Sequence, residues 1–123
     1  MAFQIPNFVI TVPAHVDLTD EQYKIVVVEA VGELEVAGAG ALNAVGVLQN
    51  DPDILQAATV MVFGVSKVIA GAALDAGMLV TSDLEGRAVE AGVGDGIVGV
   101  ALTVAENADE IVSILLTHQG VAA

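Results

Sequence analysis

Apolar residues in this chain come in short bursts closed by glycine, not in long helical stripes. "YKIVVVEAV" runs from Tyr23 to Val31 and stops at Gly32, while "TVMVF" and "IVSIL" are β-branched runs bounded by turn residues. Segments of this kind read as strands. Many short strands with glycine punctuation predict an all-β fold, a small barrel or a sandwich. Gly32, Gly46, Asp51, Pro52, Asp53, Gly86 and Gly99 stand at the ends of these runs and are expected to form the structural turns. "DLTDEQ" has capping-box spacing from Thr19 to Gln22, but no periodic apolar run follows, so at most one short helical turn is expected near residues 18–22. "AGAALDAG" is Ala-rich, yet its brevity and its glycines favour a loop with a short strand.

The pattern repeats. "GELEVAGAGALNAVGVLQNDPD" begins at Gly32 and "GRAVEAGVGDGIVGVALTVAENADE" at Gly86, an offset of 86 − 32 = 54 that Gly38/Gly92 and Gly40/Gly94 keep. Gly46/Gly99 gives 53, and "ATVMVFG" aligned with "EIVSILL" sets Val60 opposite Val112, an offset of 52. Two pseudo-symmetric β-units are expected at about residues 22–64 and 76–116, inside a single β-domain of residues 15–123. The N-terminal segment and "VSKVIAGAALDAG" have no counterpart in this alignment. Two units are too few for a solenoid, which needs about three or more, so they predict one closed or curled domain.

Composition narrows the function. Hydrophobic residues make up 55% and the mean hydropathy is +0.78, yet the formal net charge is −13. A spanning helix needs about 20 apolar residues; the charge-free run from Val36 to Asn50 is shorter and broken by Gly38, Gly40 and Gly46. "MAFQIPNF" lacks the basic start and apolar core of a signal peptide. The expectation is a protein of the cytosol or of a virion, without a membrane partner. Lys24, Lys67 and Arg87 are the only Lys and Arg, so direct nucleic-acid binding is not expected, and a partner with a basic face is. There is no cysteine, which excludes disulfides and thiolate zinc sites. Abundant apolar residues without a disulfide point to oligomerisation.

The candidate chemistry is thin. "GDGIVG" matches G-x-G-x-x-G, but a β-type run follows it where a nucleotide site needs a helix. Asp51 and Asp53 start like a calcium loop but lack the remaining ligands. Pro52 biases that corner towards an extended turn, and the second copy, "VAENADE", has acids in a different spacing. Asp17, Asp20, Glu21, Glu106, Asp109 and Glu110 scatter over predicted loops, and His15 and His118 are isolated. No enzyme, catalytic residue, metal or cofactor is expected. "MAFQIPNFVITVP" carries Phe3, Ile5, Pro6, Phe8 and Ile10, and two of the three phenylalanines lie in the first eight residues. Residues 1–14 read either as an ordinary first strand or as an extended arm that docks on a partner.

Three stretches carry a family resemblance: "DLTDEQYKIVVV", then "AVGVLQNDPDILQAATVMVFGVSKVIAG", then "LDAGMLVTSDLEGRAVEA" with "GDGIVGVALTVAENADEIVSILL". Together they resemble the small capsid cement, or head decoration, proteins of tailed bacteriophages and prophages. The chain departs from many relatives at "NDPDILQ", where those carry Gly and Glu after the proline. The resemblance implies a non-enzymatic virion protein, made in the host cytoplasm and held on the outer surface of the capsid. It implies binding across major-capsid-protein junctions, commonly as a homotrimer, and stabilisation of the shell against packaged DNA. In that setting Phe3, Ile5, Pro6, Phe8 and Ile10 are expected to form a capsid-binding arm. A small-ligand or glycan-binding β-barrel is the alternative; the scarcity of aromatics disfavours sugar stacking.

Overall fold

The computed structural model describes residues 2–123, and no helix occurs among them. The strands are β1 (Ile5–Pro13), β2 (Ile25–Val28), β3 (Leu34–Val36), β4 (Ala44–Leu48), β5 (Ala57–Ile69), β6 (Leu79–Ser82), β7 (Ala88–Glu90), β8 (Gly96–Ala101) and β9 (Ile111–Val121). All are antiparallel neighbours in one sheet, ordered β3-β2-β4-β5-β9-β8-β6-β7 with β1 alongside β5. The sheet curls into a half-barrel, so the fold is all-β and barrel-like, not two separate sheets. Residues 18–22 form only turns, and the Ala-rich connection makes single bridges, Ala70 to Ala88 and Leu74 to Ala105.

Strand β5 is 13 residues long. Its first half pairs with β1 and β4, its second half with β9. Met61 and Val68 differ in parity yet share one core, so the strand exchanges faces between them. Gly64 lies in that stretch with φ 120°, next to the register shifts around Phe8 on β1.

Hydrogen bonds recur at matched positions in the two halves. Tyr23 N–H donates to Leu48 O (2.8 Å) as Gly77 N–H does to Ala101 O (2.7 Å). Gln49 N–H donates to Thr59 O (2.7 Å) as Leu102 N–H does to Ser113 O (2.8 Å). Leu48 pairs with Val60 as Ala101 pairs with Ile114. This corrects the sequence alignment: Val60 corresponds to Ile114, not Val112, because the β8–β9 loop regains the residue lost at the glycines. The segments left unmatched by sequence also correspond. Ala14 N–H donates to Gln56 O as Ala70 N–H does to Glu110 O, and Leu55 N–H donates to Ala14 O as Asp109 N–H does to Ala70 O. Leu55 and Asp109 both hold positive φ. The first unit is thus β1–β4 with the first half of β5, and the second is the rest of β5 with β6–β9.

Burial follows the same correspondence. Ala14, Leu18, Val26, Leu34, Leu48, Ala58 and Val60 form a smaller core in the first unit. Their counterparts Ala70, Leu74, Val80, Ala88, Ala101, Val112 and Ile114 all lie in the larger core. That core also takes Ile25, Val27, Val47 and Met61 from the opposite face of the first unit. The back of the first unit therefore packs on the front of the second.

Two constraints require glycine here, a positive φ and the close approach of a neighbour, and Gly64 and Gly86 meet both. Gly32 (φ 82°) and Gly86 (φ 74°) sit in the β2–β3 and β6–β7 turns. Gly46 and Gly99 are not turn residues: they lie inside β4 and β8, where an added Cβ would collide with the carbonyl oxygens of Met61 and Leu115. They are glycine because a neighbouring backbone passes too close for any side chain. Gly46→Ala and Gly99→Ala are each expected to cost about 3 kcal/mol in urea unfolding, against about 1 kcal/mol for Gly32→Ala, whose Cβ would meet open space. Equal losses at all three positions would contradict this division.

Candidate interaction surface

The N-terminal segment is a strand of the sheet, which corrects the reading of residues 1–14 as a separate arm. Ile5 pairs with Val65 at one end of β1 and Pro13 with Ala57 at the other. Ile10 and Val12 pack on the smaller core, and Ala14 is part of it. Only residues 2–4 run beyond β1, and Met1 lies outside the described residues. These residues are pinned across the sheet: Phe3 N–H donates to the Ser113 hydroxyl, which donates to Phe3 O at 2.7 Å. The Gln4 side-chain oxygen accepts from Lys67 N–H at 3.3 Å.

The anchoring leaves the aromatic side chains outside. Phe3, Phe8 and Phe63 are 40%, 53% and 45% exposed, so none of the three phenylalanines in the chain is a core residue. Large aromatics at a surface are the usual anchors of interfaces. Phe8, Ile10, Val45, Val62, Phe63 and His118 line a groove of about 360 Å³. His118 Nε2–H donates to Val62 O at 2.7 Å, and its ring meets Phe63 edge-on with centroids 5.3 Å apart. That hydrogen bond fixes the ring and leaves the apolar wall of the groove intact. Phe63 escapes a reading of the sequence because "TVMVF" looks like core; the one available signal was the placement of the other two phenylalanines.

Charge is segregated from this surface. Of the sixteen carboxylates only Glu35 on β3 and Glu90 on β7 lie in strands, and both strands are sheet ends. The loops hold the rest. Arg87 bonds Asp83 through Nε (3.0 Å) and Asp109 through Nη1 (3.1 Å), and its pKa is raised chiefly by Asp109. Asp17 accepts from Thr19 N–H and Oγ1–H, which lowers its pKa. The hydrogen bond from His15 Nδ1 to Glu33 (2.9 Å) raises the His15 pKa, and the hydrogen bond with Glu29 raises that of Glu35. These contacts brace turns and hairpins, most of them in two groups, Arg87 with Asp83 and Asp109, and His15 with Glu29, Glu33 and Glu35.

The corner at Asp51, Pro52 and Asp53 is braced in the same way. Asn50 Oδ1 accepts from Thr59 N–H (3.0 Å), Pro52 O from Leu18 N–H (2.9 Å) and Asp53 Oδ1 from Ile54 N–H (2.7 Å). Among the described residues no three His, Asp or Glu are grouped to hold a metal ion. Gly94 (φ 86°) lies in a turn and Gly96 is the first residue of strand β8, so "GDGIVG" opens no helix.

Fold and surface together define a small all-β domain whose exposed aromatics lie on or beside strands β1 and β5, which carry no carboxylate. A solved structure shares that fold, the head fiber gp8.5 N base of bacteriophage phi29, with a TM-score of 0.73, 18% sequence identity, and coverage of 94% of this chain and 98% of that one. At that identity the likeness is one of fold. No family model matches the sequence, and no curated protein matches it.

The His15–Glu33 pair gives a pH dependence whose sign is fixed. A raised folded pKa contributes stability at low pH that is lost as pH rises through the folded value. Wild type is expected to be more stable than His15→Gln at about pH 5.5, with the gap closing by about pH 8. Urea midpoints at the two pH values check this; a constant gap contradicts it.

Proposed function

We propose that this protein is a structural component of a tailed-phage head. It binds the outer surface of the capsid across junctions of the major capsid protein, as a homotrimer, and stabilises the shell. The observation that carries this reading is the near full-length fold likeness to a phage head fiber base, joined to the sequence resemblance to head decoration proteins. Two copies of one β-unit make the body. Phe3, Ile5 and Pro6, at and just before the start of β1, make the shell-binding element, held by the sheet and not on a free arm. The acidic loops keep the protein away from DNA and suit a basic patch of shell. Many identical contacts on one particle give avidity, so each can be weak. The proposed role is non-enzymatic and needs no cofactor. The protein would be made in the host cytoplasm and retained in the virion.

The test is add-back of purified protein to heads that lack it, with occupancy measured by quantitative mass spectrometry. Removing residues 1–14 would strip a paired strand from β5, so point variants are required. Phe3→Ser with Ile5→Ser is expected to lower affinity about tenfold or more with unfolding unchanged. Asp51→Asn with Asp53→Asn is expected to leave occupancy within about twofold, because that corner is a turn. Wild-type protein that never binds heads would overturn the reading.

A further inference from the structure

The packing of one unit on the other leaves two faces of the molecule without the neighbour that their counterparts have. On the first unit, Ile25, Val47 and Met61 are cross-strand neighbours in one row, all buried against the second unit. Their counterparts on the second unit, Leu79, Val100 and Leu115, form the same row across β6, β8 and β9. Among the described residues this row is only partly covered: Leu79 and Leu115 are each 40% exposed, where Ile25 and Met61 are 0% and 1%. The other end of the chain shows the complementary vacancy. Ile10, Val45 and Val62, on the front of the first unit, are half-buried and line the groove beside Phe63. Their counterparts Ser66, Val98 and Leu116 are fully buried, and Val98 and Leu116 share the larger core with Val47 and Met61.

We infer that copies of this chain associate head to tail, with the Leu79–Val100–Leu115 row of one copy seated on the Ile10–Val45–Val62–Phe63 groove of the next. The contact repeats between molecules the packing that already joins the two units within each molecule. The occupant follows from that precedent: the surface that fits a front groove in this fold is the back face of a unit of the same kind. Charge supports the choice. Strands β1, β4, β5, β6, β8 and β9 carry no carboxylate, so these are the faces on which two chains of net charge −13 can meet without opposing like charges. Because the two surfaces differ, the interface is heterologous and closes only by forming a ring. Phe3, Ile5 and Pro6 flank the row and remain available to a shell, while Phe8 and Ile10 wall the groove.

Sedimentation velocity on the full chain, with no capsid present, tests this inference separately from head binding. Wild type is expected to self-associate, and more tightly as salt screens the acidic loops. Leu115→Asp spoils the row and Phe63→Asp the groove; each alone is expected to weaken association by ~100-fold or more, since each buries an unpaired carboxylate. Mixing the two variants restores one intact interface, an unspoiled groove against an unspoiled row, and should give a dimer and nothing larger. Leu79→Asp replaces Leu115→Asp if the latter lowers the unfolding midpoint. A monomeric wild type, folded single variants that keep the wild-type mass, or a mixture that stays monomeric would each overturn the inference. Loss of head binding with association intact would count against the shell reading alone.

Discussion

Everything in this molecule hangs on strand β5. It closes the first unit through β1 and β4 and opens the second through β9, so neither half has a complete sheet without it. A strand in that position has both faces buried, Ala58 and Val60 in one core and Met61 and Val68 in the other. Regular alternation could not sustain this over 13 residues, and the change of face near Gly64 is what allows it. Burial of small aliphatic side chains at such a crossing replaces the aromatic core that this composition lacks.

From that arrangement follows the distribution of surface types. Carboxylates are driven to loops and sheet ends, because the strands between are covered on one or both faces and an unpaired buried charge is costly. The faces left without a covering neighbour stay apolar. Exposed aromatics and apolar rows on strands without carboxylates are the pattern of a surface built for contact, and the acidic loops set which partners that contact admits. The pairings around Arg87 and His15 hold loops in place.

The strand runs and the hairpin turns at Gly32 and Gly86 were legible in sequence, since β-branched bursts and positive-φ glycines are local signals. Gly46 and Gly99 misled. A glycine at the end of an apolar run looks like a turn, and only the approach of the Met61 and Leu115 carbonyls shows it to be a strand residue. The correspondence of Ala14 with Ala70 and of Leu18 with Leu74 was also hidden. The flanking residues share almost nothing, and it is backbone hydrogen bonding and burial that preserve the match.

Sequence by itself determined that this chain is all-β, acidic, free of cysteine and built from repeated short strands. Each of these depends on residue type and near-neighbour spacing. Tertiary structure alone decided that β1 is bound into the sheet, that the phenylalanines remain outside the cores, and which apolar rows are covered. Those outcomes depend on how one unit's face meets the other's. Val47 and Val100 are the same residue in equivalent strands, yet only Val47 is fully buried. No local property of the chain distinguishes them; the difference is that a second unit packs over one and not over the other.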